Sequence, residues 1–430
     1  MTPDRAQIVV VGGGPAGAAT AYYLARAGAD VLVLDRARFP RDKPCSEYMS
    51  PQASRLLDDI GALHDIENAG AATLAGMQVR APNGATFHGK FAEVRGYRGY
   101  GDRGLALRRT LLDPLLLARA RAAGARVVEG ARVTGLVFDA TRRVTGVEVL
   151  DDSGTVRVVN AGLVVGADGL RSIVSRRLNL ARTRRAQRRL ALVSHFLGVE
   201  GIGDSGEMHV ERDGYVGLAD VGHGVTNVAV VVPVARARGA SGQPASFVDA
   251  WIRRRSHLVP RFARAERIGD VLATGPFASA AIRAWAPGAA LVGDAADFFD
   301  PFTGEGIYAA LRGAELLAPR VIALLDTRTP RDADTLLADY ERARVNEFSG
   351  KWAVERLIGT AVSFPSLMSI GARSLALRPE MAHTIVGVTG DFVPAREVLR
   401  PGFLIRLAWP FGSRPTPAPA TSVVPTPKST

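Results

Sequence analysis

Cysteine is nearly absent. Cys45 is the single one in 430 residues, so no internal disulfide forms, which suits a reducing compartment, and zinc–thiolate sites are excluded. The seven histidines show no metal-ligand spacing, and no metal is expected. No apolar run reaches the ~20 residues that cross a bilayer. The run Ile8–Val11 leads straight into glycines rather than to a cleavage site, so the location read from the sequence is cytoplasmic, at most peripheral to a membrane. Lysine is scarce as well: Lys43, Lys90, Lys351 and Lys428 are the only lysines among 54 basic residues, which 42 acidic ones leave at +12. Seven arginines fall between Arg176 and Arg189 with no acid among them. They read either as a patch for an anionic partner or as a solvated loop and helix face. No aromatic residue is interleaved, so nucleic acid is not an expected partner.

Against these absences, glycine is plentiful, with 46 residues, many in short clusters where backbone can approach a ligand. The length calls for two or three domains. The N-terminus reads as a buried strand at Ile8–Val11, a helix with Ala16, Ala19, Tyr23, Leu24 and Ala27 on one face, a stop at Gly28, and a second buried strand at Val31–Leu34. That is a βαβ unit with parallel strands. A helix is predicted over Arg109–Ala123, strands over 126–166 and 190–233 with glycine-rich turns at 213–217 and 222–224, and a strand at Ala289–Val292 leading into a helix from about Gly304 to Leu325. Helices dominate 333–377. The Pro-, Thr-, Ser- and Ala-rich stretch 413–430 cannot bury a core and reads as a disordered tail.

Three motifs carry chemistry. Gly12-Gly13-Gly14-Pro15-Ala16-Gly17 is a GxGxxG turn between strand and helix. Gly12 permits the tight turn, Gly14 the approach of a pyrophosphate and Gly17 close packing of helix on strand, while the helix N-terminus offers free N–H groups. Asp35, at the end of the second strand, is placed to accept from a ribose diol. Gly166-Ala167-Asp168-Gly169 follows a buried strand, where Asp168 would hold an arginine or a ribityl hydroxyl, or simply make a β-turn. Gly293-Asp294-Ala295-Ala296 follows another, and then comes Asp300-Pro301-Phe302-Thr303-Gly304-Glu305-Gly306-Ile307. Asp294 suits a ribityl chain, and the helix opened by Gly304 and Gly306 suits the flavin edge that gains negative charge on reduction. Two glycine-rich helix starts so far apart in sequence need a long ligand to bridge them, and FAD fits better than NAD.

Together these motifs resemble the p-hydroxybenzoate hydroxylase-like FAD-dependent oxidoreductase superfamily over roughly residues 5–350. Phe39-Pro40-Arg41-Asp42-Lys43-Pro44-Cys45 and the 301–307 segment look most like its geranylgeranyl reductase branch. The tryptophan and proline of that branch's substrate motif are missing after Tyr215, and the Trp-x-Trp-x-Ile-Pro motif of flavin halogenases is absent. The resemblance implies an α/β protein with a discontinuous Rossmann-type FAD-binding domain (1–70, 101–182 and 275–350), a substrate-binding β-sheet domain (71–100 and 183–274) and a C-terminal helical segment (351–412). It implies cofactor contacts from Gly12, Gly14, Pro15, Ala16, Gly17, Asp35, Arg36, Lys43, Pro44, Cys45, Arg109, Val133, Asp168, Gly293, Asp294, Pro301, Gly304, Glu305, Gly306 and Ile307, with Tyr48 and Tyr215 toward substrate.

The expected chemistry is reduction of a carbon–carbon double bond in a small lipophilic, isoprenoid or polyketide-like substrate, with NAD(P)H visiting transiently or a protein as reductant. A monooxygenase using NAD(P)H and oxygen is the alternative, and a flavin-binding electron-transfer partner a further one. Cys45 reads as a catalytic residue beside the flavin or as a small buried hydrophobe; Glu47 reads as a proton donor or a surface carboxylate. His195, His209 and His223 read as packing or solvent-facing residues. Apolar residues in 353–377 and 403–412 form either a membrane-facing or substrate-covering surface or a helical layer packed on the cofactor domain. Oligomeric state is left open.

Overall fold

The computed structural model describes residues 3–150, 154–183, 188–240, 242–277, 279–298 and 300–409. The expected tail, 413–430, lies outside them, as do Arg184 and Arg185 of the arginine run.

The β-branched run at the N-terminus forms the strand Arg5–Val11, whose Ile8, Val9 and Val10 are fully buried. It is flanked by parallel strands Val31–Asp35 and Val156–Gly166 in an eight-stranded sheet, with Arg126–Glu129 and Ala289–Leu291 next outward on either side. Register decides what this sheet is for. Val11 pairs with both Leu34 and Gly166, and Gly166 pairs with Leu291. The glycine-rich segments after Val11, Val165 and Val292 therefore emerge side by side at the carboxyl ends of neighbouring strands, where open α/β sheets form their ligand crevice.

Two glycines make the first turn. Gly12 has φ +102°, and a Cβ there would lie 2.5 Å from the Ala167 carbonyl oxygen. A Cβ on Gly17 would lie 1.8 Å from the Gly12 carbonyl oxygen, so only hydrogen lets the helix Pro15–Arg26 sit this close to its strand.

A second, seven-stranded sheet runs in the spatial order Glu266–Thr274, Arg189–Leu197, Val225–Pro233, Gly214–Asp220, Ser205–Glu211, Gly76–Arg80 and Thr86–Lys90. All its neighbours are antiparallel except Ser205–Glu211 against Gly76–Arg80. Period-two alternation gives it two apolar faces. Leu192, Val228, Val230 and Val232 pack with Trp251 and Ile252 of the helix Pro244–Arg253, while Ala191, Val193, Met208, Tyr215 and Val231 face the C-terminal helices.

Three local expectations shift. The turn predicted at 213–217 is confined to Arg212 and Asp213, because Gly214 already pairs with Glu211 in a hairpin. The helix predicted from Gly304 begins at Gly306; Gly304, with φ +73°, closes a separate short turn over Pro301–Thr303. The boundary expected at residue 350 falls inside one uninterrupted helix, Pro330–Ser363. Helices Pro365–Ala376, Pro379–Thr389, Arg396–Leu399 and Pro401–Ala408 follow it.

Candidate active site

Where the strand ends converge, a cavity of about 210 Å³ opens between the two sheets. Gly14, Pro15 and Ala16 line it from the first turn, Lys43, Pro44 and Cys45 from the loop after the second strand, Arg109 from the helix Arg109–Ala122, and Gly293, Asp294, Pro301, Gly304, Glu305, Gly306 and Ile307 from the last motif. Tyr215 lines it from the second sheet. The structure thus brings most of the expected residues to one place.

The mouth of the GxGxxG turn is strongly cationic. A Cβ on Gly14 would sit 3.6 Å from Arg109 Nη2 and 3.7 Å from Arg41 Nη2. Both guanidiniums are anchored by the buried Asp113, Arg109 through a fork of 2.6 and 2.7 Å and Arg41 at 3.0 Å. Burial works against the Arg109 charge, but Asp113 and Cys45 outweigh it and raise its pKa. Free N–H groups of the helix start, two fixed guanidiniums and clearance at Gly14 fit a pyrophosphate. At the other end of the crevice Asp294 faces the cavity 4.0 Å from Lys43 Nζ, a carboxylate suited to sugar hydroxyls.

Several expected residues lie off this cavity or have partners within the protein. The Asp35 carboxylate accepts from the Gly13 N–H at 2.7 Å and the Ala37 N–H at 2.8 Å, so it holds the loop rather than facing the cavity. Arg36 is exposed and Val133 is buried in the strand Arg132–Phe138; neither lines the cavity. Asp168 turns away as well. Its Oδ2 accepts from the Ile173 N–H at 2.6 Å, holding the start of a short helix, and burial raises its pKa. Tyr48 stacks on Phe91 and lines an adjoining pocket of about 50 Å³ with Leu74, Met77 and Phe302, which shares Ser46, Met208 and Gly304 with the main cavity. A consequence follows for the two aspartates. Asp294→Ala should purify with clearly less FAD, whereas Asp168→Ala should keep its flavin and lose about 1 kcal/mol of stability. Flavin absorbance per protein and thermal melts check both.

Glu47 is neither exposed nor on the cavity wall. Its Oε1 accepts from the Arg109 N–H at 2.9 Å, and its Oε2 meets His195 Nε2 at 2.8 Å and Asn227 Nδ2 at 2.9 Å. His195 and Asn227 are paired residues on adjacent strands of the second sheet. Glu47 therefore ties that sheet to the start of the Arg109–Ala122 helix, and it does so from a left-handed backbone, φ +61°, costing roughly 1–3 kcal/mol. His195 and His209 are buried, the latter against Glu207 at 2.8 Å, and His223 caps the Ala69 carbonyl. Cys45 stays on the wall: its Sγ accepts from the Glu47 N–H at 3.3 Å, and its carbonyl accepts from Asn227.

The arginine run is not one surface. Arg189 is buried; it pairs with Asp300 and donates to the Gly359 carbonyl at 3.1 Å and Ser363 Oγ at 2.5 Å. Asp300 in turn accepts from the Tyr215 hydroxyl at 2.6 Å, and burial together with Asp300 keeps that phenol protonated.

Sequence reasoning missed a buried acid–base group contributed largely by the helix Pro330–Ser363. Lys351 and Glu355 line the cavity beside Glu305. Lys351 Nζ lies 3.9 Å from Glu305 Oε2 and 4.0 Å from the Tyr308 ring centre, and it pairs with the buried Asp391. Burial raises the Glu305 pKa to about 7, partly countered by Lys351. Burial also raises Glu355, reinforced by Glu305, and lowers Lys351. The available signal was the scarcity of lysine: two of the four lysines, Lys43 and Lys351, line this cavity. Among the described residues no group of His, Cys, Asp and Glu is arranged to hold a metal.

Residues 5–348 match the family model described as FAD binding domain. A menaquinone reductase of Mycolicibacterium smegmatis is 29% identical over 403 residues, spanning 90% of this chain and 92% of the relative. Digeranylgeranylglycerophospholipid reductase 2 of Methanopyrus kandleri is 30% identical over 325 residues, 71% of this chain and 74% of the relative. Among solved structures, the flavin-dependent halogenase CmlS superposes with a TM-score of 0.72 at 23% identity over 87% of this chain and 65% of its own length, a likeness of fold.

Proposed function

This chain belongs to the FAD-binding domain family, and from that premise we propose that it reduces a carbon–carbon double bond in a lipophilic, isoprenoid- or polyketide-like substrate. Bound and reduced, FAD supplies the hydride, its electrons coming from transient NAD(P)H or a protein reductant. Arg41, Arg109 and the turn at Gly14 would hold its pyrophosphate, Asp294 its ribityl hydroxyls, and the N-terminus of the helix Gly306–Leu325 its electron-rich ring edge.

The observation that carries the reading is the mixed lining of the cavity, apolar side chains together with buried carboxyls. One wall is the apolar face of the second sheet, with Ala191, Val193, Met208 and Val231, closed by Phe277 and Phe298. That wall can hold a hydrocarbon and exclude water. The same cavity is also lined by Glu305 and Glu355, whose pKa values burial raises, Glu305 to about 7 and Glu355 well above the usual carboxylate range. Saturating a double bond needs a proton as well as a hydride, and these groups can deliver one without solvent. Cys45 stands on the same cavity and is a third candidate donor. The two relatives whose names specify reductases of isoprenoid lipids support the substrate class.

The test is product analysis of the pre-reduced holoprotein with menaquinone and with a geranylgeranyl lipid, with and without oxygen. We expect a product saturated at one double bond, formed anaerobically. A product that carries a new oxygen atom and forms only in air would replace this reading with a monooxygenase.

A further inference from the structure

The helix that lines the cavity continues into a part of the molecule that the proposed reaction does not use. Glu355 is on the cavity wall, and Phe364, where the helix ends, is nine residues on, roughly 14 Å of helix rise. From there the chain folds into Pro365–Ala376 and later returns as Pro401–Ala408. These two helices lie side by side: Ser374 Oγ donates to the Arg406 carbonyl at 2.6 Å, and a Cβ on Gly371 would touch Leu407 at 3.7 Å.

Their inner faces are core, with Met368, Ala372, Leu375 and Phe403 buried. Their outer faces are apolar as well. Phe364 is 55% exposed, Leu367 52%, Leu377 58%, Ile405 67% and Trp409 60%, with Ile370 between them. Large apolar side chains gathered on adjacent helices, rather than scattered singly, mark an interaction surface.

Charge identifies the partner. Residues 356–379 contain Arg356, Arg373 and Arg378 and no acid; residues 398–409 contain Arg400 and Arg406 and no acid. Arg378 is spent on the carbonyls of Ser374, Arg406 and Trp409, and Arg400 on Glu397. Arg356, Arg373 and Arg406 are exposed around the apolar residues. A face with apolar residues, a tryptophan at its edge, arginines, and no carboxylate on either helix, the exposed Glu380 lying just beyond, matches helices that lie in a bilayer interface carrying anionic lipid.

We infer that the outer face of Pro365–Ala376 and Pro401–Ala408 seats the protein on an anionic membrane surface, with the cavity-lining helix Pro330–Ser363 running from that surface to the site. The purpose of the seating rests on the proposed lipophilic substrate, but its test does not. Sedimentation of the full-length holoprotein with phosphatidylcholine vesicles, and with vesicles of phosphatidylcholine and phosphatidylglycerol, should show binding to the anionic vesicles that salt weakens. Brominated lipid should quench the holoprotein's fluorescence, and Trp409→Phe should remove most of that quenching. The double variant Leu367→Glu/Ile405→Glu should bind anionic vesicles about tenfold more weakly or less still, while keeping its FAD, its melting temperature and its turnover of detergent-dispersed substrate.

Absence of holoprotein binding to either vesicle, or undiminished binding by the double variant, would overturn the inference. So would concentration-dependent dimerisation abolished by the same two substitutions, which would make the face a contact between copies. Loss of activity on every lipophilic substrate, with vesicle binding intact, would count against the proposed reaction and leave the docking surface standing.

Discussion

Gly14→Val should yield a folded, soluble and colourless protein, and Gly17→Ala should yield little folded protein at all. The two glycines stand three residues apart in one motif but face different obstacles. At Gly14 a Cβ meets nothing closer than 3.6 Å, and those nearest atoms are the guanidinium ends of Arg109 and Arg41. The fold tolerates the added atoms. The space they fill is the one between the helix N-terminus and the two arginines, where a pyrophosphate would be gripped. Losing that grip should weaken FAD binding on the order of a hundredfold or more, the equivalent of two or three charge-assisted hydrogen bonds. At Gly17 the added Cβ would lie 1.8 Å from the Gly12 carbonyl oxygen, backbone that cannot yield without unseating the helix from its sheet. Far-ultraviolet circular dichroism, thermal melting and titration of apoprotein with FAD measure both. Tight FAD binding by Gly14→Val would mean that the phosphates lie elsewhere.

The contrast also shows what the sequence could and could not reveal. The GxGxxG turn is legible because its constraints are local. Gly12 and Gly17 oppose each other across a few residues, and the buried β-branched run before them announces the strand. The convergence of three motifs was legible too, since each follows a short apolar run that can only be a buried parallel strand. Asp35 was found by position, but its bonds to the Gly13 and Ala37 N–H groups were not foreseen. Whether a carboxylate at a strand end faces a ligand or its own loop depends on the path of Gly13 and Ala37, which spacing does not specify. Glu47 was out of reach, because its partners His195 and Asn227 lie 148 and 180 residues away in sequence. Nothing local marks a glutamate destined for full burial and a left-handed backbone. Lys351 and Glu355 failed for another reason. They occupy ordinary i, i+4 positions in a long helix, the usual pattern of a solvated face. Only the packing of that helix across the cavity turns the pattern inward.

The largest effect on turnover is expected at Glu305. It follows Gly304, stands at the N-cap position of the helix Gly306–Leu325 without a capping side-chain bond, and is 6% exposed on the cavity wall. Desolvation disfavours its anion more than Lys351 favours it, and its pKa rises to about 7. In the proposed reaction the carboxyl carries, below that pH, a proton it can give to the substrate carbon; above it, the proton is gone. The substrate-consuming step measured on pre-reduced holoprotein should therefore be fast and level below pH 7 and fall as pH rises beyond it. Glu305→Gln keeps shape and hydrogen bonding but has no proton to transfer. It should lower that step by about 10²–10⁴-fold and erase the alkaline fall, while flavin content and flavin reduction remain those of the parent. The same ionisation also reports through stability. A carboxyl whose folded-state pKa lies above its unfolded value favours the folded state fully below the unfolded value of 4.5, and that contribution is lost as pH rises to about 7. Melting temperatures should show the parent losing stability relative to Glu305→Gln across that window. If instead the variant turns over with the parent's pH profile while its melting curve changes as expected, Glu305 is a buried structural acid and the proton comes from Glu355 or Cys45.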